Sequence, residues 1–217
     1  MLTALGIAAF AGACVLVGRW WLHRHDEMGR ARQAPTIAVP LLLAVALVAG
    51  VIMWRHHQLE TQLTKVALAA AGGAAEVSCQ TLGSSMVDTG GELGYVKWSA
   101  DGTPERRTLI KRDTCNELAA FMRTPDGQAP DEQVMAVHVL THEAMHMRGE
   151  RAEPLAECQA LQRNAVTARL LGASESDALE IARRYWTDFY PRQDAGYLSP
   201  ECAPGRALDE GLPNAPW

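Results

Sequence analysis

Two uncharged apolar runs, Leu2 to Gly18 and Thr36 to Trp54, constrain this chain more than any other feature. They are 17 and 19 residues long, against the ~20 apolar residues a helix needs to cross a hydrocarbon core. Each therefore predicts a membrane span, the second at nearly full length and the first at the short end. Trp20 and Trp21 follow the first run and Trp54 closes the second, positions where indole rings favour the headgroup level. Pro40 falls in the first turn of the second span, where its missing N–H costs little. A cleaved signal peptide is the rival reading of the first run, but no Lys or Arg precedes it.

The loop at 19–35 carries Arg19, Arg24, Arg30 and Arg32. The positive-inside rule puts that loop in the cytoplasm and both ends of the chain outside. The expected organisation is a transmembrane hairpin over 1–54, with spans 2–18 and 36–54 and the cytoplasmic loop 19–35. A juxtamembrane helix and linker follow over 55–75, then an extracytoplasmic domain over 76–217. Lys and Arg number 20 against 25 Asp and Glu, a net charge of −5, which argues against a nucleic-acid partner.

Cysteine usage fits an exported domain. Cys14 lies in the first span, and Cys79, Cys115, Cys158 and Cys202 form an even set beyond the second. In an oxidising compartment that set predicts two disulfides, with three possible connectivities. Pairing Cys79 with Cys115 would bracket a predicted hairpin, and pairing Cys158 with Cys202 would fasten the tail to a helix. No CxxC pair is present, so a cysteine zinc site is not expected.

The periodicity beyond the spans predicts an α+β, mainly helical domain. Residues 55–71 continue as a helix ended by Gly72-Gly73. Strands are expected over 76–82, 94–99 and 106–111, the last two joined at Asp101-Gly102. Helices are expected over 115–123, from an Asp131 N-cap to Arg148 with Gly149 as its stop, from Glu153 or Pro154 to Leu171, and from the 174–177 caps to Tyr190. The tail reads as irregular.

The helix expected from Asp131 to Arg148 carries His142-Glu143-Ala144-Met145-His146, an HExxH pattern. Histidines four apart share one helix face, so both imidazoles can reach one Zn²⁺. The intervening Glu143 can then act as general base towards a zinc-activated water. A third protein ligand is needed, and Glu153 and Glu157 share a face of the following helix. Spacing alone leaves the choice between them open, because it depends on how the turn at Gly149 ends. His138 precedes His142 by one more helical turn and reads as cleft lining or a solvated helix histidine. Tyr185 and Tyr190 are both possible oxyanion donors, and nothing in the sequence selects one.

On His142, Glu143, His146 and the Glu153-x-x-Ala156-Glu157 segment, the chain resembles the gluzincin branch of the zincin metallopeptidases. It is also similar, loosely over 76–210, to bacterial membrane-anchored HExxH proteins. The resemblance implies a zincin-like exported domain, with Glu153 binding zinc and Glu157 supporting a histidine. It implies a zinc metallopeptidase anchored in the cell membrane, hydrolysing peptide or protein substrates at the cell envelope, with partner membrane proteins possible. The competing expectation is a non-catalytic, metal-stabilised, disulfide-bonded ectodomain that binds an envelope partner.

Overall fold

The structure, a computed structural model, describes residues 2–25, 27–81 and 92–217. It forms two compact units, Met1–Gln58 and Leu59–Trp217. The first contains α1 (Leu2–Leu22) and most of α2 (Ala38–Ala71). Both helices are long and apolar enough to cross a membrane. Inside this unit, Ala9, Ala13 and Ala49 are buried where the two helices meet. Gly6 lets the backbones come close, since a Cβ there would sit 3.1 Å from that of Ala49. Outward, Leu5, Phe10, Leu41 and Leu47 are exposed, as a lipid-facing surface requires.

The second unit begins within α2. Leu63, Val66, Ala67 and Ala71 are buried in the domain core, so the segment expected as a linker is, from Leu59, part of the folded unit. Gly72 ends the helix at φ +67°, a conformation that costs glycine little. β1 (Glu76–Cys79), β2 (Gly94–Trp98) and β3 (Pro104–Ile110) form a sheet of order β1-β3-β2. β1 runs parallel to β3, and β2 runs antiparallel to it. The amides of Val77 and Cys79 on the outer edge of β1 donate to Thr64 Oγ1 and Glu60 Oε1 of α2, at 3.0 and 2.8 Å. A helix thereby satisfies a strand edge that would otherwise leave donors unpaired. Leu82, the end of the longer strand expected here, lies outside the described residues.

Five helices follow: α3 (Arg112–Arg123), α4 (Asp131–Arg148), the pair α5 (Glu153–Leu161) and α6 (Asn164–Leu170), and α7 (Glu175–Arg184). The α5–α6 pair replaces one expected long helix. The break falls at Gln162 and Arg163, where the tail docks. Gln162 Nε2 donates to the carbonyls of Cys158 and Leu208, its Oε1 accepts from the Glu210 amide, and Arg163 pairs with the Glu210 carboxylate. α7 stops at Arg184, and a π-helical turn over Tyr185–Phe189 takes its place up to Tyr190. Asp131 is the first residue of α4 rather than its cap. Pro130 stands before it, and Arg184 holds the Asp131 carboxylate at 2.7 Å.

α4 lies at the centre. β2 and β3 pack on it, and so do α3, α5, α6 and α7. Thirteen of its residues, Val134 and everything from Ala136 to Met147, are buried. Disulfides join Cys79 to Cys115 and Cys158 to Cys202. They tie β1 to α3 and α5 to the tail, as the sequence reading expected. Loops of 36 and 44 residues each stabilise by ~4 kcal/mol in the chain-entropy model.

Candidate metal centre

Burying α4 brings polar side chains inside, and each must find a partner or pay for its lost hydration. The stripe His138, His142, His146 faces α5, because Gly149 (φ +123°) turns the chain and sends Glu153 and Glu157 back alongside it. His142 Nε2, His146 Nε2 and Glu153 Oε2 converge at 2.9, 3.1 and 3.3 Å from one another. Zinc ligands at ~2.0–2.1 Å in a tetrahedral arrangement are separated by about 3.3 Å. The triangle is therefore close to the right size.

The protons say more than the distances. His146 Nδ1 lies 2.7 Å from the carbonyl oxygen of Glu150, which can only accept. That bond places the hydrogen of neutral His146 on Nδ1. His142 Nδ1 lies 3.0 Å from Glu157 Oε2, and the same logic puts its hydrogen on Nδ1. Both Nε2 atoms then carry lone pairs, as does Glu153 Oε2. Three acceptors meet with no hydrogen among them, and such a meeting needs a cation. Without a metal, a proton takes that place. Burial pulls His142 down, but hydrogen bonds to Glu153 and Glu157 and the charges of Glu157 and Glu143 outweigh it, raising its pKa to about 9. Hydrogen bonds from His142 and His146 likewise pull Glu153 down to about 2, against some burial.

Glu157 is the support rather than the third corner of this triangle. Burial opposes its charge, yet the His138 charge and hydrogen bonds from His138 and His142 hold its carboxyl far below the usual range. Oε2 accepts from His138 Nε2 at 2.9 Å as well as from His142, and Oε1 accepts from the Tyr185 hydroxyl at 2.6 Å. His138 is thus neither solvated nor a cleft wall. Its ring stacks on Tyr185 at 3.6 Å, and its Nδ1 lies 3.0 Å from Asn164 Nδ2. His138, His142 and Glu157 also offer ligand atoms close together. There, however, the His138 and His142 contacts to Glu157 each already have a hydrogen between the two atoms, so no cation is needed to join them.

Glu143, one residue on from His142, faces the sheet, close enough for its charge to act on His142 and for those of His142 and His146 to act on it. Thr108 Oγ1, fully buried, lies 3.1 Å from Glu143 Oε2 and equally 3.1 Å from the Tyr95 carbonyl. Gly94 opens β2 directly over the carboxylate, where a Cβ would come within 3.0 Å of Glu143 Oε1. Burial raises the Glu143 pKa, with the charges of His142 and His146 working against it. A buried, raised carboxyl that is free of the ligand set suits proton transfer.

The two tyrosines left open by sequence are engaged elsewhere. Tyr185 bonds Glu157 and Gln193, and Tyr190 OH pairs with the amide and carbonyl of Ser199. Tyr197 is the tyrosine whose ring approaches His142, at 5.9 Å. It was missed along with Thr108, Gly94 and Asn164. For Gly94 there was a signal, a glycine opening a strand. For Tyr197, in an irregular tail, there was none. Compared with known proteins, the chain matches no family model, no curated protein and no solved structure.

Proposed function

We propose that this chain is a membrane-anchored zinc metallopeptidase of zincin-like architecture, with α1 and α2 as spans and the disulfide-bonded unit outside the cytoplasm. The observation that carries the reading is the convergence of three acceptor atoms, His142 Nε2, His146 Nε2 and Glu153 Oε2, with no hydrogen among them. Imidazole and carboxylate donors in this number suit zinc and leave a position for water. Bound by these three residues, Zn²⁺ would supply Lewis acidity towards a scissile carbonyl and a lowered pKa for water.

The chain's own residues do the rest. Glu157 and the Glu150 carbonyl fix the tautomers and ring orientations of the two histidines, as partners behind metal ligands do. Glu143 accepts a proton from the attacking water and delivers it to the departing amine nitrogen. Thr108 holds that carboxylate in place, and its single hydroxyl hydrogen can serve either Glu143 or the Tyr95 carbonyl. Two disulfides favour an oxidising compartment for this unit, in agreement with the arginine-rich loop on the other side of the spans.

The test is peptide cleavage by the purified full chain, with and without a chelator. Chelator-sensitive cleavage that falls ~10²–10⁴-fold in Glu143→Gln, with zinc retained, is the expected result. Zinc retained with no cleavage by the wild-type chain would point instead to the metal-stabilised binding module.

A further inference from the structure

Beside the metal centre, the turn between α4 and α5 presents one cation. Arg151 follows Glu150, whose carbonyl fixes His146, and precedes Glu153 by two residues. Its guanidinium carbon lies 5.7 Å from the centre of the Trp98 ring, and that ring meets His146 nearly at right angles, 6.3 Å away. The β2–β3 turn is also close, since a Cβ at Gly102 would lie 3.9 Å from an Arg151 nitrogen. The side chain is exposed, and among the described residues no carboxylate lies within ion-pair distance of it.

The nearby acids are otherwise engaged. Glu150 Oε1 accepts the Ala152 amide at 3.0 Å, and Glu153 faces His142 and His146. A guanidinium held over an indole keeps its planar N–H fork available, and that fork matches a carboxylate in bidentate fashion. In a chain of net charge −5, this arginine, without an ion-pair partner among the described residues, sets a cation at the rim of the His142, His146 and Glu153 cluster.

We propose that Arg151, seated on Trp98, is a specificity-determining residue that binds a carboxylate of the substrate. The favoured substrate is a peptide with an acidic side chain, or its own C-terminal carboxylate, beside the bond to be cut. This rests on the peptidase reading above.

The experiment measures binding separately from turnover. The full chain carrying Glu143→Gln, zinc-loaded in detergent, is titrated into four fluorescein-labelled peptides of one sequence. They differ in a single Glu or Gln and in a free or amidated C-terminus, and affinity is read by anisotropy. A carboxylate-bearing peptide should bind about tenfold more tightly than its neutral counterpart, and the comparison shows whether the side chain or the chain end supplies the group. Arg151→Gln should abolish the preference while zinc content and both disulfides persist, and Arg151→Lys should retain part of it. A preference that survives Arg151→Gln would overturn the proposal. Equal affinity for all four peptides, alongside cleavage by the wild-type chain, would overturn the subsite and leave the peptidase reading standing. No binding and no cleavage would overturn both.

Discussion

α1 and α4 are both helices without a polar face set against an apolar one, and they solve that problem in opposite ways. α1 is apolar all round and leaves Leu5, Ile7, Phe10 and Val15 exposed. α4 is covered on nearly every side and takes His138, Thr141, His142, Glu143 and His146 into the interior. A helix of the first kind needs only an apolar solvent, and lipid supplies it without regard to partner. The second kind needs a named partner for each polar atom. Thr141 bonds the Val137 carbonyl, Glu143 has Thr108, His138 has Glu157 and Asn164, and His142 and His146 have Glu157 and Glu150. Burial in an apolar solvent is generic, while burial in the domain is specific.

The comparison breaks most sharply at Glu157. Replacing it with Leu leaves His138, His142 and Tyr185 facing an alkyl group. Removing one partner from a buried charged network costs about 3–5 kcal/mol, so denaturant unfolding of Glu157→Leu should show a loss of that order. Glu157→Gln keeps an acceptor and should fold, with zinc affinity lowered ~10–100-fold. Wild-type stability in Glu157→Leu would mean that the network is not what holds α4 against α5.

A charge in the apolar helix should act by position alone. Leu47→Arg places a cation on an exposed face of α2 and should cost about 3 kcal/mol of insertion free energy. A membrane-insertion assay would read it as a lower inserted fraction, and undiminished insertion would argue against the second span. Smaller again is the effect at Gly94. Gly94→Ala must push Glu143 or β2 aside, at about 1–3 kcal/mol by thermal unfolding. Zinc should stay bound, because Glu143 is not a ligand. A neutral Gly94→Ala would show that the strand does not press on the base.

A further effect is a pH dependence of opposite sign in the two states of the centre. In chelated protein, His142 rises from 6.5 to about 9 on folding. Its contribution is complete below pH 6.5 and is lost as pH climbs through about 9. Glu153, lowered from 4.5 to about 2, contributes above pH 4.5 and loses that only towards pH 2. Metal-free stability should therefore decline on the alkaline side. Zinc occupancy, by contrast, should decline on the acid side, because the ligands must shed their protons. Thermal melts of chelated protein between pH 6 and 10 test the sign, and a rise over that range would contradict it.

How much of this was legible depended on the range of each contact. The spans, the Gly149 stop and the HExxH face are written in local periodicity. The disulfide pairing followed from which elements each cysteine bracketed. His138 was readable in principle, since 138, 142 and 146 form one stripe, but a four-residue spacing does not say whether a face meets water or α5. Thr108 reaches Glu143 across 35 residues of sequence, and only the β2–β3 register and its seat on α4 bring them together. The break at Gln162 depends on tail residues 208 and 210 docking there. The π-helical turn that aims Tyr185 at Glu157 leaves no mark in hydrophobic spacing.

The central claim is that the interior of α4 is arranged around a cation. Metal analysis of the full chain, stripped with chelator, reloaded with Zn²⁺ and desalted, tests it most directly. The account predicts one Zn²⁺ per chain in the wild type and in Glu143→Gln, and none in the His142→Ala, His146→Ala double variant. Full zinc occupancy in that double variant, or a wild-type chain that takes up no zinc, would contradict it.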